Sequence, residues 1–382
     1  MKKQTLYYVA SARMPNEKAY GIQMAKMCEA LIEAGVDLTL VVPRRGAQES
    51  VREFYGLKVD VPTLWLPALE LHRYKRFGYF CMTLSFMISY SVFLWYRYLK
   101  GERFLLYTVD VDRYSSFLLA LIPVPLFSEM HGAKPRTFVQ RVLFWRVRGV
   151  IAINEIIVKE LKKTFMRSGA RFLVEQNGVD LESFSPQDKA PARAAVGLPD
   201  VPVVLYAGRF YDWKGLEIIP RAAALTPDIR WQIVGGTQDE FAAVVEETLP
   251  KNLYFSGGRP HKEMPLWIAA ADAVVVLGTK RDEQSYRWTS PMKLFEYMAA
   301  GRPIVASGTP ALKEILSTRS ALLYEPDNAE DLANKVRQAV SRDGKHAPLI
   351  AEAARAVQSR TWSHRAQRVL HFINSTLHEP AL

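Results

Sequence analysis

Three cationic side chains, Arg209, Lys214 and Lys293, fall where the chain turns from strand into helix, and a carboxylate, Glu296, follows the last by three positions. In Ser290-Pro291-Met292-Lys293-Leu294-Phe295-Glu296-Tyr297-Met298-Ala299-Ala300-Gly301, Ser290 reads as an N-cap and Pro291 as the first helical residue. Leu294, Phe295 and Met298 give an apolar face at helical spacing, and Gly301 ends the helix as a C′ residue. Pro303 blocks continuation, and Ile304-Val305 starts a short buried strand. A loop running into a helix N-terminus gathers free amides and a positive dipole end, which suits a phosphate. Lys293 in the first turn is mildly unfavourable unless an anion is near, and Glu296, one turn on, could face the same ligand. Upstream, Tyr206-Ala207-Gly208-Arg209-Phe210 closes a strand and Trp213-Lys214-Gly215-Leu216 leads into a helix. Two or three cations with a helix N-terminus make a diphosphate clamp. Ser290 and Lys293 also spell Ser-x-x-Lys, an acylation motif, but no companion motif accompanies it.

The elements that must hold these residues alternate. Leu6–Ala10 reads as a strand, Gly21–Glu33 as a helix ended by Gly35, and Leu38–Val42 as a fully apolar strand. That is a βαβ unit, and near-continuous apolar strands predict a parallel sheet covered on both faces. The pattern continues with strands at Val61–Leu66, Phe104–Thr108, Leu126–Ser128 and Gly149–Ile153, and helices at Phe77–Tyr98 and Phe138–Arg148. Four prolines and mixed charges over Ser185–Pro202 predict a linker. Beyond it, strands are expected at Val203–Ala207, Arg230–Val234, Leu253–Phe255, Ala273–Leu277, Pro303–Ala306 and Ala321–Tyr324, with helices between them, the last over Ala329–Arg342. A terminal helix at Ser363–Leu377 has no strand after it. The expected architecture is α/β, two doubly wound Rossmann-like domains facing across a cleft: residues 1–186, residues 187–362, and a helix over 363–382 crossing back to the first.

Gly208-Arg209-Phe210…Lys214-Gly215 followed by Glu296-Tyr297-Met298-Ala299-Ala300-Gly301-Arg302-Pro303-Ile304-Val305-Ala306 resembles the nucleotide-sugar half of glycosyltransferase family 4. So does Asn177-Gly178-Val179-Asp180 with Phe184 and Pro186, and Pro15–Ala30 resembles the opening loop and helix of bacterial polysaccharide-type members. The resemblance implies a GT-B fold, a nucleotide-diphospho-sugar donor, retention of anomeric configuration, no cofactor and no required metal. Arg209 and Lys214, with Gly208, would hold the donor diphosphate, joined by Ser290 and Lys293. Glu296 would accept hydrogen bonds from the ribose hydroxyls, and Gly21 would let backbone approach the donor phosphates. His131, in Glu129-Met130-His131-Gly132, matches the loop histidine that meets the transferred sugar. Arg209, Lys214 and His131 are the catalytic candidates. One departure stands out: the family often has a glutamate eight positions before Glu296, where this chain has Trp288. The loop Gly278–Thr289 offers Asp282 and Glu283 instead.

The 382 residues are 49% hydrophobic, enough for two cores, and carry 50 Lys and Arg against 39 Asp and Glu, a net charge of +11. That balance favours anionic partners, yet no nucleic-acid recognition motif or stacking platform is present. Cys28 and Cys81 sit in apolar helical patterns and read as buried thiols. Met1-Lys2-Lys3-Gln4 leads straight into a strand with no signal-peptide pattern, so a cytoplasmic protein is expected, peripheral at the inner face of the plasma membrane. Phe77–Tyr98 approaches the roughly 20 apolar residues of a transmembrane span, but Ser85, Ser89, Ser91 and several tyrosines dilute it. With basic rims at Arg73, Lys75, Arg76, Arg97 and Lys100, it reads as an interfacial helix. Lys134, Arg136, Arg141, Arg146 and Arg148 add to an anionic-surface reading. The expected function is retaining transfer of a sugar to a glycan or lipid-linked acceptor, in polysaccharide biosynthesis. The alternatives are a nucleotide-sugar epimerase, a glycan phosphorylase and a non-catalytic GT-B scaffold, the last because of Trp288.

Overall fold

The apolar runs of the first half form a parallel sheet. In the structure, a computed structural model, residues 5–46, 49–70, 75–112, 114–166, 169–341 and 345–378 are described; Met1 to Gln4, Arg73, Arg342 and the side chains of Lys75 and Arg76 lie outside that set. The chain divides into two units: Met1–Gln176 with Trp362–Leu382, and Asn177–Thr361.

Unit 1 runs β1 (Thr5–Val9), α1 (Ala19–Glu33), β2 (Asp37–Pro43), α2 (Val51–Tyr55), β3 (Thr63–Leu66), α3 (Lys75–Leu99), β4 (Phe104–Val109), β5 (Leu126–Met130), α4 (Phe138–Arg146), β6 (Gly149–Ala152), α5 (Glu155–Thr164) and β7 (Arg171–Val174). Its seven strands lie in the order β3-β2-β1-β4-β5-β6-β7, every pairing parallel. β4 and β5 are buried at every position, so helices cover both faces, as continuous apolar strands require. β7 had no sequence signature, because its four residues are all half-buried at the sheet's edge.

Unit 2 runs α6 (Lys189–Val196), β8 (Val203–Ala207), α7 (Ile218–Ala224), β9 (Arg230–Val234), α8 (Gln238–Ala242), β10 (Leu253–Phe255), α9 (Met264–Ala270), β11 (Ala273–Val276), α10 (Met292–Ala299), β12 (Ile304–Ser307), α11 (Pro310–Lys313), β13 (Leu322–Tyr324), α12 (Ala329–Val340) and α13 (Ala347–Val357). The strand order is β10-β9-β8-β11-β12-β13, again all parallel. Residue alternation in β8 splits the core: Leu205 and Ala207 pack with α10 on one face, Val204 and Tyr206 with α7 and α12 on the other.

Two expectations are corrected here. The Ser185–Pro202 segment is folded, with α6 at its centre and Gly197 in the left-handed conformation (φ 68°) behind it. Its Arg193 is buried, with Nη2 2.6 Å from Asp272 Oδ2 and Nε donating to the Ala270 carbonyl at 2.9 Å. The units also part between Gln176 and Asn177, ten residues ahead of the expected boundary, because Val179 and Phe184 belong to the unit 2 core. After α13 the chain returns to unit 1 as α14 (Trp362–His378), which packs along α1 and against β6 and β7. Gly149 leaves room for it: a Cβ there would stand 2.7 Å from the Phe372 ring.

Candidate functional site

In unit 2 the strand order reverses between β8 and β11, and a doubly wound sheet opens a crevice at the carboxyl ends of such a pair. The loop leaving β8 begins at Gly208, whose φ of +146° suits only glycine. The backbone passes close to Gly235 at the end of β9, where a Cβ would lie 2.3 Å from the Gly208 carbonyl oxygen. Gly235 itself has φ +139°, so the tight passage rests on two glycines. Gly235→Ala is expected to cost about 2–3 kcal/mol of unfolding free energy through backbone strain and this clash. Urea unfolding checks it; a loss below about 0.5 kcal/mol, the range of inert surface changes, would show that the loop moves aside freely.

Both lysines converge on Gly208. A Cβ built there would stand 3.5 Å from Lys293 Nζ and 3.6 Å from Lys214 Nζ. Lys293 arrives from the first turn of α10, donates to the Ala207 carbonyl at 3.1 Å and lies 4.1 Å above the Tyr206 ring centre. Lys214 ends the 3₁₀ turn Asp212–Lys214, donates to the Arg209 carbonyl at 2.9 Å and sits over the stacked Tyr211 and Trp213 rings. Burial first, then the charge of Arg209, lowers the Lys214 ammonium to about 8. Burial and Lys214 push Lys293 well below the lysine range, with Glu296 opposing. Cations held this way lack the charge that would make them stable, and an anion supplies it. Arg209 begins the same loop with an exposed side chain.

Ser290 is not the cap of α10. The cap position is Pro291, extended at φ −73°, ψ 124°, and the helix starts at Met292. A residue before proline is held extended, which keeps Ser290 outside the helix. Its carbonyl instead accepts from Asn177 Nδ2 at 2.8 Å. Ser290 Oγ, Asn177 Oδ1 and Tyr206 OH are buried without hydrogen-bond partners. Gly301 closes α10 at φ +69°, as its position after Ala300 required.

Glu296, one turn beyond Lys293 and largely buried, has Oε1 2.7 Å from His261 Nε2, and His261 lies against Phe184 at 5.5 Å between ring centres. A carboxylate only accepts, so His261 Nε2 carries the proton in this pair, and Glu296 keeps a second oxygen for a ligand hydroxyl. Sequence reasoning missed His261, which has no motif around it. Trp288 ends one turn of π-helix, Gln284–Trp288. The charged groups of that loop are engaged locally: Asp282 Oδ1 accepts from the Ser285 amide, Arg287 pairs with Glu283, Lys280 with Glu325 and Arg281 with Glu217.

In unit 1, His131 follows β5. Its amide donates to Asp110 Oδ1 at 3.0 Å, and its Nε2 donates to Glu129 Oε1 at 2.8 Å. Glu129 is fully buried and also receives Gln23 Nε2 (2.8 Å), Arg365 Nη2 (2.7 Å) and the Tyr107 hydroxyl (2.6 Å). Burial would raise its carboxyl, but Arg365 with the His131 and Tyr107 hydrogen bonds wins and holds it at about 2. Thus Glu129 is an anion that fixes the His131 ring and the proton on Nε2. Arg365 comes from α14, and nothing in the sequence linked it to His131. Gly21, in the first turn of α1, sits beside Tyr55 and Asn16: a Cβ there would be 2.4 Å from the Tyr55 hydroxyl, so the glycine is required by packing within unit 1.

Residues 201–342 match the family described as glycosyl transferases group 1. A D-inositol 3-phosphate glycosyltransferase of Nocardioides sp. is 30% identical over 248 residues, covering 58% of this chain and 52% of that protein. One from Stackebrandtia nassauensis is 31% identical over 211 residues, covering 50% and 46%. The chain thus spans about half the length of the curated relatives it matches. Among solved structures, sucrose-phosphate synthase of Thermosynechococcus elongatus shares the fold at a TM-score of 0.78 with 20% identity, over 98% of this chain and 99% of that one. Anabaena HepE, solved in complex with UDP and glucose, does so at 0.73 with 18% identity, over 97% and 100%.

Proposed function

We propose that this chain, whose residues 201–342 match the group 1 glycosyltransferases and whose α/β fold is that of the GT-B enzymes, transfers a sugar from a nucleotide-diphospho-sugar to a hydroxyl of a glycan or lipid-linked acceptor, with retention of configuration. The observation that carries this is the convergence of Lys214 and Lys293 on Gly208 at the switch point of unit 2. Two desolvated lysines beside a helix N-terminus are costly to keep charged in the free protein and become favourable as ammoniums when a diphosphate arrives. Arg209 adds a third charge to the rim. Glu296, held by His261 through one oxygen, accepts from the ribose hydroxyls through the other. The ring of His131, whose role toward the transferred sugar comes from the family resemblance alone, is fixed by Glu129.

Chemically, the bond from the anomeric carbon to the phosphate oxygen breaks, and negative charge grows on that oxygen. Lys214, Lys293 and Arg209 act at that moment, because cations already in place stabilise developing charge without reorganising. The acceptor hydroxyl bonds to the anomeric carbon from the same face and gives its proton to the departing phosphate oxygen. The reaction needs no further cofactor in this reading.

Binding of UDP, taken as the first donor fragment because a fold neighbour was solved with it, tests the clamp. Titration calorimetry at pH 8.5 in two buffers of different ionisation heat is expected to show net proton uptake. UDP is fully ionised there, since phosphate's second pKa is about 6, whereas Lys214 at about 8 is mostly neutral and is recharged by the ligand. Binding without proton uptake would place the diphosphate elsewhere. No binding of UDP, GDP or ADP would remove the donor reading altogether.

A further inference from the structure

Unit 1 presents a long apolar face to solvent. On α3, Phe77, Phe80, Leu84, Ile88, Val92, Trp95 and Leu99 are exposed at three- and four-residue intervals, with Tyr96 exposed beside them and Phe77, Val92 and Leu99 at 69%, 67% and 77%. The stripe runs from Phe77 to Leu99, about 33 Å at 1.5 Å per residue. The opposite face is the one that packs inward: Met82, Phe86, Tyr90 and Leu94 are buried. An ordinary surface helix is polar outside, and α3 holds no acidic residue at all. Hydrogen bonds tie it to unit 1, from the Tyr90 hydroxyl to the Ser115 carbonyl and from Ser89 Oγ to the Pro67 carbonyl. It therefore lies along the unit and does not stand apart from it as a span would.

The face continues sideways. The 3₁₀ turn Leu118–Leu121 touches both α3 and α4 and exposes Leu121. Phe80 meets Tyr114, and Phe117 meets Phe138 at the start of α4. On α4 and just beyond, Phe138, Arg141, Trp145 and Arg148 are exposed in i, i+3, i+7, i+10 order, with Trp145 at 77%. Arg136 precedes them, and Lys100 stacks over Tyr96 at the far end of α3. Lys134 and Arg146, grouped with these in sequence, face inward to Asp110 and to the Ala120 and Ile122 carbonyls.

Charge chooses the occupant. Unit 1 has 28 Lys and Arg against 16 Asp and Glu, +12, and unit 2 has 22 against 23, −1. All of the chain's net positive charge thus lies in the unit with the apolar face. A second copy docking by two-fold symmetry would set this basic patch against itself. An anionic bilayer meets both features, accepting aromatic and aliphatic side chains at the headgroup boundary while its phosphates meet the arginines.

We infer that the α3–α4 face of unit 1 docks in the interfacial plane of an anionic lipid membrane. This stands independently of the donor site, since every residue involved belongs to unit 1. The test is co-sedimentation with vesicles of phosphatidylcholine containing a quarter phosphatidylglycerol, beside pure phosphatidylcholine, at about 0.1 M salt. Wild-type protein is expected to pellet with the anionic vesicles, weakly with the neutral ones, and to be released at high salt. Ile88→Gln with Val92→Gln, and separately Arg141→Gln with Trp145→Gln, should each lower the partition by about tenfold or more. All four positions are exposed, so circular dichroism and UDP binding should stay at wild-type values. Wild-type protein left in the supernatant of both lipids overturns the inference, as does pelleting undiminished in both double variants. A dimer in sedimentation velocity that the same substitutions dissociate would assign the face to a second copy instead.

Discussion

Lys293→Met and Lys214→Met are each expected to lower turnover by about 10² to 10³-fold, the range seen when one preorganised charge-stabilising group is removed. Both ammoniums point at the same spot beside Gly208, and each rests on only a backbone carbonyl and aromatic rings. Such an arrangement does little for the resting protein, and in the proposed transfer its value appears when charge develops on the departing phosphate. A second readout separates this from damage to the fold. Because burial and Arg209 depress the Lys214 ammonium, the free protein carries it at a cost, and Lys214→Met should raise free-protein stability by about 1 kcal/mol at pH 7 after discounting for solvent screening at a half-buried site. Loss of turnover with a raised melting temperature is the expected pair; unchanged turnover in both variants would end the clamp assignment.

The same depression sets a pH signature. Below about pH 8 the ammonium is charged in the folded and unfolded chains alike, and its cost is constant. From about 8 up to the ordinary lysine range the folded chain has given up the proton and the unfolded chain has not, so stability rises with pH. Lys214→Met shows a smaller rise, keeping only the share that buried Lys293 contributes, and saturating UDP reduces it in the wild type by holding the proton in place. Denaturant midpoints taken at pH 7 and at pH 10 on the three samples decide the point.

Strands buried on both faces were legible because their apolar runs leave no other reading, as in β4, β8 and β11. β7 and α6 were not, because tertiary partners make them: β7 borrows an edge of the sheet, and α6 is fixed by Arg193 reaching Asp272. The site divides the same way. Lys293 and Glu296 share one helix and Arg209 and Lys214 one loop, so local spacing revealed them. His261 reaches Glu296 across 35 positions and Arg365 reaches Glu129 across 236, with no periodicity to mark either. Ser290 shows the opposite error: a good capping residue in sequence, displaced because Pro291 takes the cap itself.

Arg365→Met should be the most destabilising single change at the His131 site. Arg365 is wholly buried, its Nη2 is 2.7 Å from Glu129, and its Nε donates to the Gln176 carbonyl at 3.0 Å. Removing it leaves Glu129 charged with only the Tyr107, Gln23 and His131 hydrogen bonds, and breaking one side of a buried pair costs about 3–5 kcal/mol. Neutralising the survivor should return much of that loss, so Glu129→Gln combined with Arg365→Met should be more stable than the sum of the single changes, a coupling of about 1–3 kcal/mol in denaturant unfolding. UDP affinity should stay at the wild-type value in all three variants, because the residues proposed to hold the donor belong to unit 2. Activity should fall even where the fold survives, as in Glu129→Gln, since His131 Nε2 then faces an amide that no longer holds its proton in place. Additive losses, or an Arg365→Met variant within about 0.5 kcal/mol of wild type, would show that the Arg365–Glu129 pair does not hold α14 to unit 1.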